Sequence, residues 1–357
     1  MEKRKNQSLL DGLEQFDTLR HALRAGNCPA CVIGLGGIHK AHFIYSLAAG
    51  EESPALVITP DEASAVRMAE DINALWGGEY AAPFPARQLT LREVEGASLE
   101  YEHARLGVLS SLAHGSLRVV TASAEAALLH TIPPEALRRH TLELRCTESY
   151  NIEELVEVLI SCGYTRAEQV EGVCQFALRG GILDIFAPLY PDPLRIEFWG
   201  DEIDSIWTFK VESQRRENPL ESVQITPARE VLLGEPAALV RKLQAQAKTL
   251  RGKFAARARE HIEADVERIA GGATLQNIDK YIALLYEQPA TLFEHFYKPT
   301  IFLCEPITCV QALKNSRCSW TRTPPPSWRR GCSSRRFATS TTTLPPSPRG
   351  FVKTARW

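Results

Sequence analysis

Apolar residues in the first third of this chain alternate between short solid runs and spaced, helix-like patterns. The run "ACVIGL" suits a strand, "ALVITP" (Ala55–Pro60) a short buried strand and "LRVVTA" (Leu117–Ala122) a third strand. Between and after them come helical periods. "TPDEASAVRMAEDINALWGG" predicts a helix with Thr59 as cap, Pro60 in its first turn, Gly77 as its stop, and Ala63, Val66, Ile72 and Leu75 on one face. "SLEYEHARLGVLSSLAHG" predicts an amphipathic helix ending near Gly115, and "SAEAALLH" a short one. Strand–helix alternation of this kind predicts an α/β module with a parallel, doubly wound sheet over residues 1–130.

The texture changes at residues 131–211. "NIEELVEVLISCGY" reads as a helix with Asn151 at its N-cap, Glu154 completing a capping box and Gly163 at its end. "CQFALRGGILDIFAP" and "LRIEFWGDEIDSIWTFKV" are β-rich and are broken by "LYPDP" and "WGDE". An antiparallel meander with one helix follows, a separate α+β module inserted into the first. Residues 212–313 return to helix. "EPAALVRKLQAQAKTLRGKFAARAREHIEADVERIAGG" reads as one long helical stretch with Leu239, Leu243, Leu250 and Phe254 near one face. "PTIFLCEP" (Pro299–Pro306) reads as one more buried strand.

Composition sharpens this picture mainly at the end of the chain. The 357 residues include 41 Lys and Arg against 43 Asp and Glu, a net charge of -2. The balance hides an asymmetry, because no acidic residue follows Glu305. Residues 314–357 carry eight Arg and two Lys, and 28 of the 44 are Ser, Thr, Pro or Arg. That text lacks apolar periodicity and predicts a disordered basic tail. Its abrupt change of character also fits a reading frame lost near residue 314. The acidic body argues against a protein that coats DNA. The charged opening "MEKRKNQSLLDGLEQF" lacks the apolar core of a signal peptide, and no 18-residue apolar run occurs, so a cytoplasmic chain with no membrane partner is expected. Nine cysteines without a disulfide-framework pattern fit a reducing compartment, and Cys28 and Cys31 lack the second pair that a zinc site needs.

Chemistry is sparse. The strand–loop–helix "VIGLGGIHKAHFIYSL" (Val32–Leu47) has the setting of a phosphate-binding loop, G-x-x-x-x-G-K-[ST]. Gly34 and Lys40 fit, but His39 replaces the second glycine and Ala41 the Mg²⁺-binding Ser or Thr. A side chain at position 39 obstructs the approach of phosphate to backbone N–H groups. In "IFLCEP", Cys304 stands where a metal-holding acid would be, with Glu305 beside it. Both halves of an ATP site are present in outline and lack essential parts, so no cofactor is expected for this chain. There is no G-x-S-x-G and no H-E-x-x-H, and no catalytic or metal-ligating residue is assigned. The strongest remaining pattern is polar: Arg195 and Glu197 share one strand face in "LRIEF", and Arg179 lies on a neighbouring strand. Such a charged face beside aromatics suits docking.

Taken together, "CGYTRAEQVEGVCQFALRGGILDIFAP", "LRIEFWGDEIDSIWTFKVESQR", "PARE", "PATLFEHFYKPTIFLCEP" and the altered loop resemble the UvrB-like N-terminal region of bacterial transcription-repair coupling factors (Mfd), over roughly residues 10–313. The excinuclease component UvrB resembles the same block but keeps an intact phosphate loop; an ATP-using damage-recognition protein of that kind is the alternative. The resemblance implies that residues 1–130 and 212–313 form a degenerate ATPase-like module. It implies that residues 131–211 dock the excinuclease component UvrA, with Arg179, Arg195 and Glu197 matching the partner-binding positions. It further implies that RNA polymerase, DNA, ATP and Mg²⁺ are engaged only by modules of the family that are not matched here. The chain would then be a truncated, non-catalytic adaptor of nucleotide excision repair.

Overall fold

The computed structural model describes residues 10–51, 53–87, 100–252, 255–272, 275, 278–286, 288–322 and 354–356. The first part is α/β. Helix α1 (Glu14–Arg24) precedes strand β1 (Cys31–Ile33), α2 (Gly37–Ala48), β2 (Ala55–Thr59), α3 (Glu62–Trp76), β3 (Ala81–Phe84), α4 (Glu100–His114), β4 (Val119–Ser123) and α5 (Ala124–Leu128). All residues of β2 and β4 are buried, as solid apolar runs demand of strands covered on both faces. The cap of α3 differs from the sequence reading. Thr59 ends β2 instead, and the Asp61 carboxylate accepts from Ser64 N at 2.8 Å. Asp competes well here because its oxygen reaches the N3 amide from an extended backbone. The buried face is accordingly rotated to Ala65, Met68, Ala69 and Ile72, leaving Ala63 and Val66 exposed. Gly77 closes α3 in the left-handed conformation (φ 72°).

The second part begins with α6 (Pro134–Arg139), β5 (Leu142–Arg145) and α7 (Ile152–Ser161). Asn151 caps α7 by accepting from both Glu153 N and Glu154 N; the return bond of a capping box is not found among the described residues. Strands β6 (Thr165–Arg166), β7 (Gln175–Arg179), β8 (Ile182–Ile185), β9 (Leu194–Trp199), β10 (Glu202–Phe209) and β11 (Arg216–Leu220) form one sheet in sequence order. It is antiparallel except between β6 and β7. The sequence reading closes this module at residue 211, yet β11 lies beyond that point, and β12 (Ser222–Ile225) pairs with β5. One face of the meander and α7 enclose a core of Leu155, Leu159, Phe176, Leu183, Ile196 and Ile206.

Three further expectations are corrected. The long helical stretch after residue 235 is two helices, α8 (Pro236–Thr249) and α9 (Ala255–Ala270), broken at Leu250–Gly252. Folding back lets Leu239, Leu243 and Leu250 meet Ala258, Ile262 and Ile269 in one core, which a straight helix could not do. Phe254 lies outside the described residues. After α10 (Ile282–Leu285), strand β13 (Thr300–Leu303) joins the α/β sheet, whose order is β13-β2-β4-β3 with every pair parallel. As an edge strand it is not buried: Ile301 and Leu303 are about half exposed. Helix α11 (Pro306–Arg322) then runs past residue 314, where the sequence predicts disorder, and β14 (Thr354–Arg356) lies parallel to β1. The rest of the tail lies outside the described residues. No helix among them is long and apolar enough to cross a membrane.

The α/β part and the meander meet at a cluster of buried charge. Glu230 is fully buried. Its carboxylate accepts from Arg105 Nε, from Arg105 Nη2 (3.3 Å), from Arg87 Nη2 (2.8 Å) and from Thr131 Oγ1 (2.6 Å). Burial alone pushes this carboxyl up, but Arg105 and Arg87 outweigh it and hold the group down at about 2. The Arg105 guanidinium also stacks 4.1 Å from the Phe84 ring centre.

Two partly buried histidines give the body a pH dependence. Burial lowers His295, whose Nε2 lies 2.8 Å from the Ile132 carbonyl oxygen, to about 4. Burial, with Arg229, lowers His103 to about 4 as well. Above the unfolded value of roughly 6.5 both states are neutral and the histidines cost nothing. Below it the unfolded chain takes up protons that the folded chain refuses, so stability falls as pH drops from about 6.5 towards 4. Thermal melts across that window should show this loss, reduced in His295→Gln. Asp61→Ala should cost about 1 kcal/mol in a denaturant titration at neutral pH.

Candidate docking face and degenerate loop

The outer face of the meander collects the charged residues that the sequence singles out. Across its strands, Ala177 faces Asp184, Asp184 faces Arg195 and Arg195 faces Trp207. One step along, Arg179 faces Ile182, Ile182 faces Glu197 and Glu197 faces Ser205. Alternation puts both rows, Trp199 and Phe209 on the same side of the sheet. Tight turns bring the strands together. Gly180 adopts φ +61° between β7 and β8, and Gly200 adopts φ +65° between β9 and β10. Gly181 passes so near Phe198 that a Cβ would stand 2.9 Å from its carbonyl oxygen, which accounts for the second glycine of "RGG".

Asp184 organises this face. Its side chain is 1% exposed, and it binds two arginines. Arg179 Nη2 donates to Oδ2 at 2.6 Å, while Arg195 Nε and Nη2 donate to Oδ1 and Oδ2 at 2.8 and 2.9 Å. The remaining Arg195 donors reach Gln214 O (3.1 Å) and Gln214 Oε1 (3.2 Å), and its guanidinium covers the Phe209 ring. The hydrogen bond to Asp184 raises the Arg195 guanidinium above its ordinary value. Glu197 pairs with Arg216 and accepts from Ser205 Oγ at 3.0 Å.

The structure therefore brings Arg179, Arg195 and Glu197 together, but in different roles. Arg179 is 46% exposed and can reach a partner. Arg195 is 13% exposed with its donors engaged, so it braces the sheet surface. Sequence reasoning missed Asp184, Arg216 and Trp199. A lone acid between apolar residues in "GILDIF" was the available signal for Asp184. Trp199 sits at the end of the face and is 86% exposed, an apolar area that invites cover.

The altered phosphate loop is short and runs directly into α2. Gly34 takes φ +95°, and α2 already begins at Gly37, so His39 and Lys40 belong to the helix. The His39 ring folds back with Nδ1 3.4 Å from where a Cβ on Gly36 would stand. Lys40 Nζ forms an ion pair with Glu305, which adopts a left-handed backbone (φ 51°) just past β13. A carboxylate thus holds the ammonium that a phosphate would claim. Ala41 is fully buried against Val57 and Val119, in the core. Burial pushes the Cys304 thiol up, away from the thiolate that a metal prefers. Among the described residues, no group of three His, Cys, Asp or Glu is placed to hold a metal ion.

Comparison with known proteins agrees with the sequence resemblance. Residues 142–231 match the UvrB interaction domain family, a span that runs from β5 to just past Glu230. The chain is similar to the transcription-repair-coupling factor of Bacillus subtilis, 27% identical over 316 residues that make up 86% of this chain and 27% of that protein. It is similar to the Staphylococcus haemolyticus protein of the same name, 28% identical over 282 residues, or 77% of this chain and 24% of that protein. The chain spans about a quarter of the length of these curated relatives.

Because Asp184 neutralises a largely buried guanidinium, Asp184→Asn should cost about 3 kcal/mol in a denaturant titration. Arg179→Ala, which removes the half-exposed partner, should cost less than about 1 kcal/mol.

Proposed function

We propose that this chain is the docking portion of a transcription-repair coupling factor and acts in the cytoplasm as a non-catalytic adaptor for UvrA. One observation carries the reading: an ordered polar face built on Asp184, displaying Arg179 and Trp199, lies within the span that matches the UvrB interaction domain. Arginine and tryptophan are the residue types most often found in energetically dominant contacts. Arg179 and the Glu197–Arg216 pair would fix register and partner choice more than raw affinity. RNA polymerase displacement and DNA translocation, which the family resemblance implies for whole proteins, would require modules outside this chain.

The alternative, an ATP-using relative of UvrB, gains nothing from the loop geometry. His39 stands where the second glycine would be, Ala41 is packed in the core, and Lys40 is paired with Glu305. Millimolar ATP with Mg²⁺ is expected to leave the melting temperature unchanged; a rise of several degrees would revive the enzymatic reading.

The direct test is binding of the full chain to purified UvrA by calorimetry. Arg179→Ala and Trp199→Ala should each weaken binding about tenfold or more while the fold, followed by circular dichroism, is kept. Equal affinity of both variants and wild type, or no binding by folded wild type, would sink the proposal.

A further inference from the structure

Helix α4 carries the joint between the two parts, and its residues are unusual for a helix in a parallel α/β layer. Glu102 and Arg105 are both buried. Glu102 accepts from the Glu230 backbone N–H at 2.8 Å through Oε1, and its Oε2 lies 3.0 Å from Arg229 Nε. Arg105 clasps the Glu230 carboxylate and donates to the Pro85 carbonyl at 2.8 Å. Gly107, on the same helix, lies against the loop between β8 and β9: a Cβ there would stand 2.9 Å from the Pro188 carbonyl oxygen. From the other side, Arg229 packs over Gly163 at the end of α7, where a Cβ would run into its Cγ.

The apolar cores on the two sides of this joint are separate. One gathers Leu106, Leu109, Val120 and Leu292; the other gathers Phe176, Leu183, Ile196 and Val223. Between them, the seam along α4 is held by charge and by close backbone approach. Buried charge of this kind adds little net stability over apolar packing, but it is exacting about geometry, since every donor must find its acceptor.

We infer that the α4 seam, with Glu230 as its latch, sets the orientation in which the meander is presented on the α/β body. Glu230 lies at the point where the chain leaves the inserted module, so one carboxylate ties the returning segment to Arg87 after β3, Arg105 on α4 and Thr131 after α5. Opening it would free the meander as a unit while leaving both cores folded. The inference stands on its own whether or not the outer face binds UvrA.

The experiment uses the full chain with fluorophores introduced, as non-natural amino acids, at exposed Arg67 on α3 and Asp201 in the β9–β10 turn. Single-molecule energy transfer reports the orientation, and calorimetry reports cooperativity. Wild type should give one narrow population and one melting transition. Glu230→Gln should give a second energy-transfer population of about one molecule in ten or more, with separate transitions and unchanged far-ultraviolet circular dichroism. Gly107→Ala, which wedges the seam without touching a charge, should broaden the distribution in the same direction. An unshifted single population in both folded variants would overturn the inference. So would joint loss of both cores in Glu230→Gln, because the seam would then belong to one cooperative core.

Discussion

A carboxylate buried without partners would be among the most costly features a protein could carry. Glu230 is tolerated because two guanidiniums and a hydroxyl converge on it, and each converging group arrives from a different part of the chain. That requirement constrains everything around it. Arg105 must lie on the inward face of α4, Thr131 must follow α5 at the right depth, and the segment leaving β12 must return alongside both. The relative placement of the α/β sheet and the meander follows from meeting these demands at once.

A second buried carboxylate does the same work on a smaller scale. Asp184 fixes Arg179 and Arg195 on the outer face of the meander, so their side chains share one arrangement. The contrast with the phosphate loop is instructive. There, too, a carboxylate meets a cation, but the Glu305–Lys40 pair occupies the position from which a lysine would reach out to phosphate. Charge pairing orders the side chains of one surface and holds the loop lysine at the other.

The similarity to coupling factors is modest in identity and covers most of this chain. The matched interaction domain spans β5 to Val231, and so includes both the displayed face and the latch residue. Segments outside that span, α4 above all, supply the surface on which the domain rests.

Much of this was legible in the sequence. Solid apolar runs declared β2 and β4 because strands covered on both faces tolerate little else. Alternation of Arg195 and Glu197, and the breaks at "LYPDP" and "WGDE", declared the meander and the side on which its charges lie. Missing glycine and hydroxyl at His39 and Ala41 declared an incomplete loop. What the sequence could not reveal were partnerships between residues far apart in the chain. Periodicity assigned Glu102 and Arg105 no special role, because a charged residue is called exposed unless its partner is known, and Glu230 lies more than a hundred positions away. The break at Leu250, the exposed edge at β13 and the bracing role of Arg195 were decided in the same way. Local pattern determines which backbone forms; only packing in three dimensions determines which charges find each other and which faces are left uncovered.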